Sequence, residues 1–470
     1  MTCRVVMFLL GILCAAPPVS AEPEPGSSLK ILICLDGVPL ELIRKLQDEG
    51  RFHSFRPPAP LISTFPAITE IMLTELFGVE PPPGYGLRYY DKAANELRGG
   101  LGDASAISVW FKLYDFVTPM MDRGLTYMWG RWSVRDLDYL RKHLARADSG
   151  ILLMHLDSTD ALMHHERSAV TVNWLRSLDS ALVEFLGRRN GQDVEIVLFS
   201  DHGNDMRETR RIPIEDHLKR SGWKPGSVID GESGIAILPT GLISTGYVYT
   251  AREAEAAASI AGLRGVELCA YEAGGIAHVT GRNGHARVER RGDASGWRYR
   301  YETDSGDPLA MVPVIRAMKD SGLLDADGFA DDREWFTATL SHEYPDALNR
   351  VYGGVTGHVR NVGDVLMSLD PGWHCGSRVL SAFLNFKGTH GSLRKASITG
   401  FAISNRRSLR PLRAEELLDE LGWRNEVGID AATRGVAMRG TLPPPRGELR
   451  GVHVLEHREG WDRRGTDAVN

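Results

Sequence analysis

The stretch from Glu195 to Asn204 limits most narrowly what this chain can fold into. Ile196 to Phe199 are four apolar residues in a row, and they stop at Ser200-Asp201-His202-Gly203. A short apolar run closed by a turn reads as a strand buried on both faces. Open α/β sheets bind ligands just beyond the carboxyl ends of their strands. An Asp-His pair at such an end is placed to hold a metal ion.

Two further stretches end in the same way. Lys30 to Leu35 (KILICL) closes at Asp36-Gly37, and Ile151 to Leu156 (ILLMHL) closes at Asp157. Between them lie stretches of helical period. Leu40, Ile43 and Leu46 share a face within Val38 to Glu49, and Leu175, Leu178, Leu182 and Phe185 share one within Ser168 to Leu186. Strands alternating with helices predict an α/β fold with a mostly parallel central sheet flanked by helices.

The 470 residues suffice for one large α/β domain carrying an insertion. Arg4, the apolar run Val5 to Ala16 and the small residues Val19-Ser20-Ala21 read as a secretory signal over 1–21. That predicts a secreted or periplasmic protein, with no transmembrane helix once the signal is cleaved. Residues 22–29 (EPEPGSSL) form a linker. The catalytic core takes 30–241, and 381–423 close it. Between them, 242–380 read as an inserted α+β cap: an Ala-rich helix from Ala251 to Leu263, then hairpins across Ile276 to Thr303. From residue 424 the tail is polar, with Pro443-Pro444-Pro445.

Composition excludes some classes. A net charge of -6 provides no surface for wrapping a polyanion, so no nucleic-acid partner is expected. A small phosphate ester stays open as substrate, because metals can supply local positive charge. Cys34, Cys269 and Cys375 follow the signal; Cys34 reads as a buried hydrophobe, and the other two could pair. The chain is no disulfide scaffold, and its oligomeric state is not legible.

The chemistry-bearing residues fall at strand ends and helix starts. Asp160 and His164 are four residues apart, so one helical face presents both to a single ion. His165 and His155 are neighbouring alternatives. Asp201 and His202 converge where their strand turns. Asp157 could accept a hydrogen bond from a ligating imidazole. His390 lies in Gly388-Thr389-His390-Gly391; His342, His358 and His374 are alternatives in the same half. Thr64 precedes Phe65-Pro66 and a helical run from Ile68 to Phe77; a plain N-cap is the competing reading of its hydroxyl. Carboxylate and imidazole together suit Zn²⁺, with Mn²⁺ a second option.

LDG around Asp36, STFP around Thr64, DALMH from Asp160 to His164, SDHG around Asp201 and THG around His390 stand in one order. In this the chain resembles the alkaline phosphatase superfamily, and within it the nucleotide pyrophosphatase/phosphodiesterase branch. The resemblance covers 30–240 and 381–405. It implies a two-zinc phosphodiesterase or phosphatase. Asp160, His164 and His390 would hold one ion, and Asp36, Asp201 and His202 the other. Thr64 would be nucleophile and metal ligand, through a phospho-threonine intermediate. Diesterase members usually carry Asn or Asp soon after TFP. Here Ala67 follows Pro66, the segment Gly84 to Asp91 has no Asn, and Arg88 is the candidate for that phosphate contact. Phosphomonoester, phosphonate and sulfate hydrolysis are the alternatives on this fold. An inactive extracellular binding protein on the same scaffold is the alternative outside enzymes.

Overall fold

The structure is a computed structural model. It describes residues 28–427 except 101–102, 104–107, 166–167, 190–191, 239–240, 242, 294–295 and 384–385. The signal, the linker up to Ser27 and the tail from residue 428 lie outside the described residues.

The fold is α/β. Seven strands form one sheet in the order Leu412–Arg413, Ala59–Ile62, Thr399–Ser404, Asp193–Phe199, Ser28–Leu35, Gly150–Leu156, Phe116–Val117. The sheet is mixed. Ser28–Leu35 runs parallel to both its neighbours, and so do the outermost pairs. Thr399–Ser404 is antiparallel to the strands on its two sides. The central strands are apolar throughout because both faces are covered. Leu40, Ile43, Leu140, Leu175, Leu178 and Leu182, all from helices, bury against one face. Each such leucine contributes about 2 kcal/mol by leaving water.

Register explains where the acids go. Leu35 pairs with Leu156, and Cys34 pairs with Phe199. Continuing one and two residues past those rungs, Asp36, Asp157 and Asp201 finish side by side on three neighbouring strands. Neighbouring strands lie about 4.8 Å apart. Three carboxylates are thus delivered to one sheet edge by strand length alone.

A second sheet has nine strands, ordered Ala330–Asp331, Gly296–Gly306, Gly284–Asp293, Ile276–Gly281, Val266–Ala273, Val365–Leu369, Thr245–Thr250, Gly234–Ile237, Lys224–Gly226. The hairpins expected from Ile276 onward are present, and the helix Glu253–Ala261 packs beside them. The sheet begins at Lys224, before residue 242, so two short strands read as core belong to it. Its core residues Ala277, Val279, Leu348 and Val351 continue into Ile62, Phe65 and Ile71 beside the first sheet. Both sheets fall in one compact unit. No helix among the described residues is long and apolar enough to cross a membrane. Cys34, Cys269 and Cys375 are free and buried.

Candidate metal centre

Six side chains named from the sequence meet beyond the strand ends. Asp36, Asp160, His164, Asp201, His202 and His390 are all buried. The ligand atoms of Asp160, His164 and His390 lie within 4.8 Å of one another, and so do those of Asp36, Asp160 and His202. Asp160 is therefore common to these two groups, and a third, Asp36, His155 and Asp157, brings its ligand atoms equally close. Asp201 joins through His202, whose Nε2 is 3.4 Å from Asp201 Oδ2 and 3.5 Å from Asp36 Oδ1.

Local backbone makes this approach possible. Gly37 has φ +69°, and its N–H donates to Asp201 Oδ1 at 3.0 Å. A Cβ there would lie 3.0 Å from Asp160 Oδ1 and 3.2 Å from His202 Cε1. A glycine is needed both for the turn and for the space. Gly388 is equally confined, since a Cβ would lie 2.3 Å from Asn204 Oδ1.

The three imidazoles share one hydrogen-bond pattern. Nδ1 of His164 donates to Gly388 O at 2.8 Å, Nδ1 of His390 to Ala67 O at 2.9 Å, and Nδ1 of His202 to Gly203 O at 2.9 Å. A carbonyl only accepts, so each Nδ1 carries a proton. That leaves Nε2 as the atom turned to the carboxylates, at 3.2 Å from Asp160 Oδ1 for His164 and 3.6 Å for His390. Burial holds the His202 pKa down to about 4 and the His390 pKa down to about 3, so both rings are neutral at pH 7. Their rings stack with centroids 3.7 Å apart, which also disfavours charging both. A neutral Nε2 lone pair facing a carboxylate oxygen is repulsive unless a cation lies between them.

Three of the carboxylates are under-compensated. Burial first, and then the neighbouring Asp201, push Asp36 well above the usual range. Burial also pushes Asp157 and Asp201 up to about 6. Burial works against ionised Asp160 as well, but His164 outweighs it and holds Asp160 well below the usual range. Burial opposes charging His164, yet Asp160 raises its pKa. Asp160 Oδ1 and Asp201 Oδ2 are buried without a hydrogen-bond donor. This donor set fits divalent cations: neutral imidazole Nε2 and carboxylate oxygen, each imidazole oriented by a second bond.

The two hydroxyls that could attack a substrate are separated by geometry. Thr64 is fully buried, and its Oγ1 donates to Pro66 O at 3.0 Å. Thr69 is the first residue of the helix Thr69–Phe77. Its Oγ1 lies 3.4 Å from Asp36 Oδ1 and 3.4 Å from His202 Nε2. The Thr69 hydroxyl thus lies beside two members of the ligand cluster. The helix starts after the turn at Pro66 rather than with it, which carries the facing hydroxyl five residues along.

Four of the five alternative histidines find other partners, and His155 stays with the acids. His342 Nε2 bonds Ala310 O, His358 pairs with Glu75, and His374 bonds Thr209 and Ser381. His165 packs on Phe386, with ring centroids 4.7 Å apart. His155 Nε2 is 3.4 Å from Asp36 Oδ2, and Trp110 and Tyr114 pack on its ring. Asp157 pairs with Arg123. Arg88 is exposed at the start of the short hairpin strand Arg88–Asp91. Two site residues had no sequence signal. Arg123 and Tyr127 come one helical turn apart on the helix Met120–Met128, and Tyr127 Oη donates to Asp160 Oδ2.

Comparison with known proteins bears on this cluster. Residues 80–215 match the Metalloenzyme superfamily. The matched span contains Asp160, His164, Asp201 and His202, and it agrees with the alkaline phosphatase-like resemblance read from the motifs. Among curated proteins no sequence matches the chain. Two solved structures are similar across most of their length. Phosphonoacetate hydrolase from Sinorhizobium meliloti 1021, in complex with phosphonoformate, is 14% identical; the match covers 86% of this chain and 96% of that one, with a TM-score of 0.47. Murine ectonucleotide pyrophosphatase/phosphodiesterase 5 is 12% identical; the match covers 85% and 95%, with a TM-score of 0.44.

Proposed function

We propose that this chain is a two-metal phosphoric ester hydrolase whose nucleophile is Thr69. One observation carries the reading. A helix-opening hydroxyl lies against a buried set of imidazole Nε2 atoms and carboxylates that lacks the positive charge to balance it. Asp160, His164 and His390 would hold one ion, and Asp36, Asp201 and His202 the other, with Asp160 near enough to serve both. The mixed nitrogen and oxygen donors suit Zn²⁺, and Mn²⁺ less well. Bound there, such cations supply Lewis-acid charge and lower the pKa of coordinated oxygens.

The protein's own groups do the rest. A threonine hydroxyl is a weak nucleophile until its proton has somewhere to go. Thr69 Oγ1 lies 3.4 Å from Asp36 Oδ1 and 3.4 Å from His202 Nε2, the atoms that would hold a cation beside it, and that charge would favour loss of its proton. Bonding within the helix begins at Ile71 N and Met72 N, both to Ile68 O, so the Thr69 and Glu70 amides ahead of them can donate to phosphoryl oxygens. In the reaction, Thr69 Oγ forms a bond to phosphorus as the bond from phosphorus to the ester oxygen breaks. Water then cleaves the phosphothreonine, returning the hydroxyl and releasing phosphate or a phosphomonoester. Burial of Asp201 and His202 keeps bulk water from screening these charges.

The test is hydrolysis of p-nitrophenyl phosphate and bis(p-nitrophenyl) phosphate by metal-reconstituted protein. Thr69→Ala should lose roughly 10³-fold or more of kcat with metal content intact. Thr64→Ala should stay within about tenfold of the wild type, the scale of a lost buried hydrogen bond. The reverse ranking would return the nucleophile to Thr64. Wild-type protein loaded with metal and inert on both esters would favour the inactive binding scaffold.

A further inference from the structure

We propose that the outer face of the helices Met120–Met128 and Val134–Arg146 docks this protein onto an anionic phospholipid surface. The proposal is independent of the hydrolase reading above.

Exposure singles out this face. Among the described residues, six large apolar side chains are half or more exposed, and five of them lie between residues 120 and 134: Met120 at 68%, Met121 at 66%, Met128 at 60%, Val134 at 55% and Trp129 at 50%. The sixth, Val379, is far away in sequence. Helical spacing gathers the methionines. Met121 and Met128 are seven residues apart, about two turns, so they share one face, and Met120 adjoins it. Asp122 and Thr126 are buried on the other side. Tyr127 also turns inward, where its Oη donates to Asp160 Oδ2. The helix is thus apolar toward water, the inverse of an ordinary surface helix. An uncovered apolar face of this kind marks an interaction site.

Charge identifies the partner. Trp129 leads through Gly130–Ser133 into the second helix, and Arg135 and Tyr139 of that helix both reach back to Asp122. From Trp129 to Arg146 the exposed charged residues are five cations and one carboxylate, Asp138. Arg135 pairs with Asp122, and Arg141 with Asp138. Arg131, Lys142 and Arg146 make no ion pair among the described residues. These unpaired cations border the apolar face on a chain whose net charge is -6. Two copies meeting by this face would set three unpaired cations against three more. A lipid surface with anionic headgroups complements them instead. Flexible methionines on a convex helix find no matching groove there and need none, because acyl chains conform to them. Exposed Met and Trp bordered by Arg and Lys are the composition of a helix that lies in the headgroup region. Docked in this way, the metal centre lies one helix away from the lipid surface.

The experiment uses metal-reconstituted protein from Glu22 onward, so that the apolar run of the predicted signal cannot itself bind lipid. Cosedimentation is measured with vesicles of phosphatidylcholine alone and of phosphatidylcholine mixed with phosphatidylglycerol. The wild type should bind the mixed vesicles, and added salt should weaken it. One cation near an anionic leaflet is worth about 1 kcal/mol, a factor of about five. Arg131→Gln, Lys142→Gln and Arg146→Gln together should therefore weaken binding about 10²-fold. Met121→Glu with Met128→Glu should weaken it about 10-fold or more. Both variants change exposed residues and should unfold at the wild-type temperature. Brominated lipid should quench tryptophan emission, and Trp129→Phe should remove most of that quenching. Wild-type protein that leaves the mixed vesicles unbound at low salt, binds both vesicles equally, or binds as well with either set of substitutions would overturn the proposal. So would a dimer, seen by sedimentation equilibrium, that Met121→Glu with Met128→Glu splits, because the face would then belong to a second copy.

Discussion

Two buried charged clusters in this molecule have opposite character. At the strand ends, carboxylates meet other carboxylates and imidazole lone pairs. Between the nine-stranded sheet and the closing segment, acids meet bases. Arg350 Nε donates to Asp346 Oδ2 at 2.8 Å, Arg413 Nε donates to the same oxygen at 2.7 Å, and Arg413 also reaches Asp332. Arg350 completes its set on Glu415 at 3.0 Å. Arg350 and Asp346 are as buried as the metal-ligand candidates. Burial opposes both guanidinium charges, but Asp346, Asp332 and Glu415 outweigh it and raise their pKa values. At the strand ends burial wins for Asp36 and Asp201. Burial alone does not mark a functional site. A buried cluster that its own residues leave uncompensated does.

The comparison breaks first at Asp160. It belongs to both ligand groups, so Asp160→Asn should leave less than one divalent ion per chain, where the wild type takes up about two. His164→Ala removes a ligand from one group only and should leave about one. Metal analysis after reconstitution reads this directly. Ester hydrolysis should fall roughly 10³-fold or more in both, because several kcal/mol of transition-state stabilisation go with the missing charge. Two ions retained in Asp160→Asn would show that the strand-end cluster is compensated in another way, and the contrast would collapse.

The paired cluster makes the complementary prediction. Arg413→Met strands Asp346 and Asp332 as buried acids without their partner. That should cost about 3–5 kcal/mol of stability, seen as a lower denaturant midpoint. The folded fraction should still bind about two metal ions. A variant as stable as the wild type would mean that water reaches Asp346. A folded variant that has lost metal would mean that the two clusters are coupled through the Thr69 helix.

This contrast also explains what could be read from residues alone. Asp36, Asp201 and Asp157 were legible because a strand buried on both faces is an unbroken apolar run, and its end is visible as the first acid. His390 was legible from its Gly-flanked loop. Thr69 was not. STFP carries the stronger helix-start signal, and nothing in the spacing shows that the chain first turns at Pro66 and begins its helix five residues after Thr64. Arg123 and Tyr127 were invisible for another reason. Their helix joins no motif, and its residues meet Asp157 and Asp160 only through tertiary packing. Lys224–Gly226 and Gly234–Ile237 were not read as strands because they are too short to show a period. The Arg413 network links residues up to 81 apart in sequence, and only packing brings them together.

Asp136 offers the smallest effect, and it belongs to neither kind of cluster. It caps the helix that carries Asp160, accepting from Ser158 N at 3.1 Å and from Thr118 Oγ1 at 2.9 Å. Its Oδ1 is buried without a partner. Burial outweighs these bonds and pushes its pKa up to about 6. An unfolded aspartate titrates near 3.9. Between those values the folded chain holds a proton that the unfolded chain has released. Stability from this group is therefore complete below about pH 4 and is lost as pH rises through about 6. The loss is about 3 kcal/mol. Asp136→Asn keeps a neutral side chain at every pH and should flatten that part of the profile. Denaturant midpoints of chelated wild type and Asp136→Asn, taken from pH 4 to 7, isolate the term as their difference. The gap should widen in favour of Asn as pH rises. Parallel curves would mean that Ser158 and Thr118 compensate Asp136 fully, and this carboxylate would then join the closed cluster rather than stand between the two.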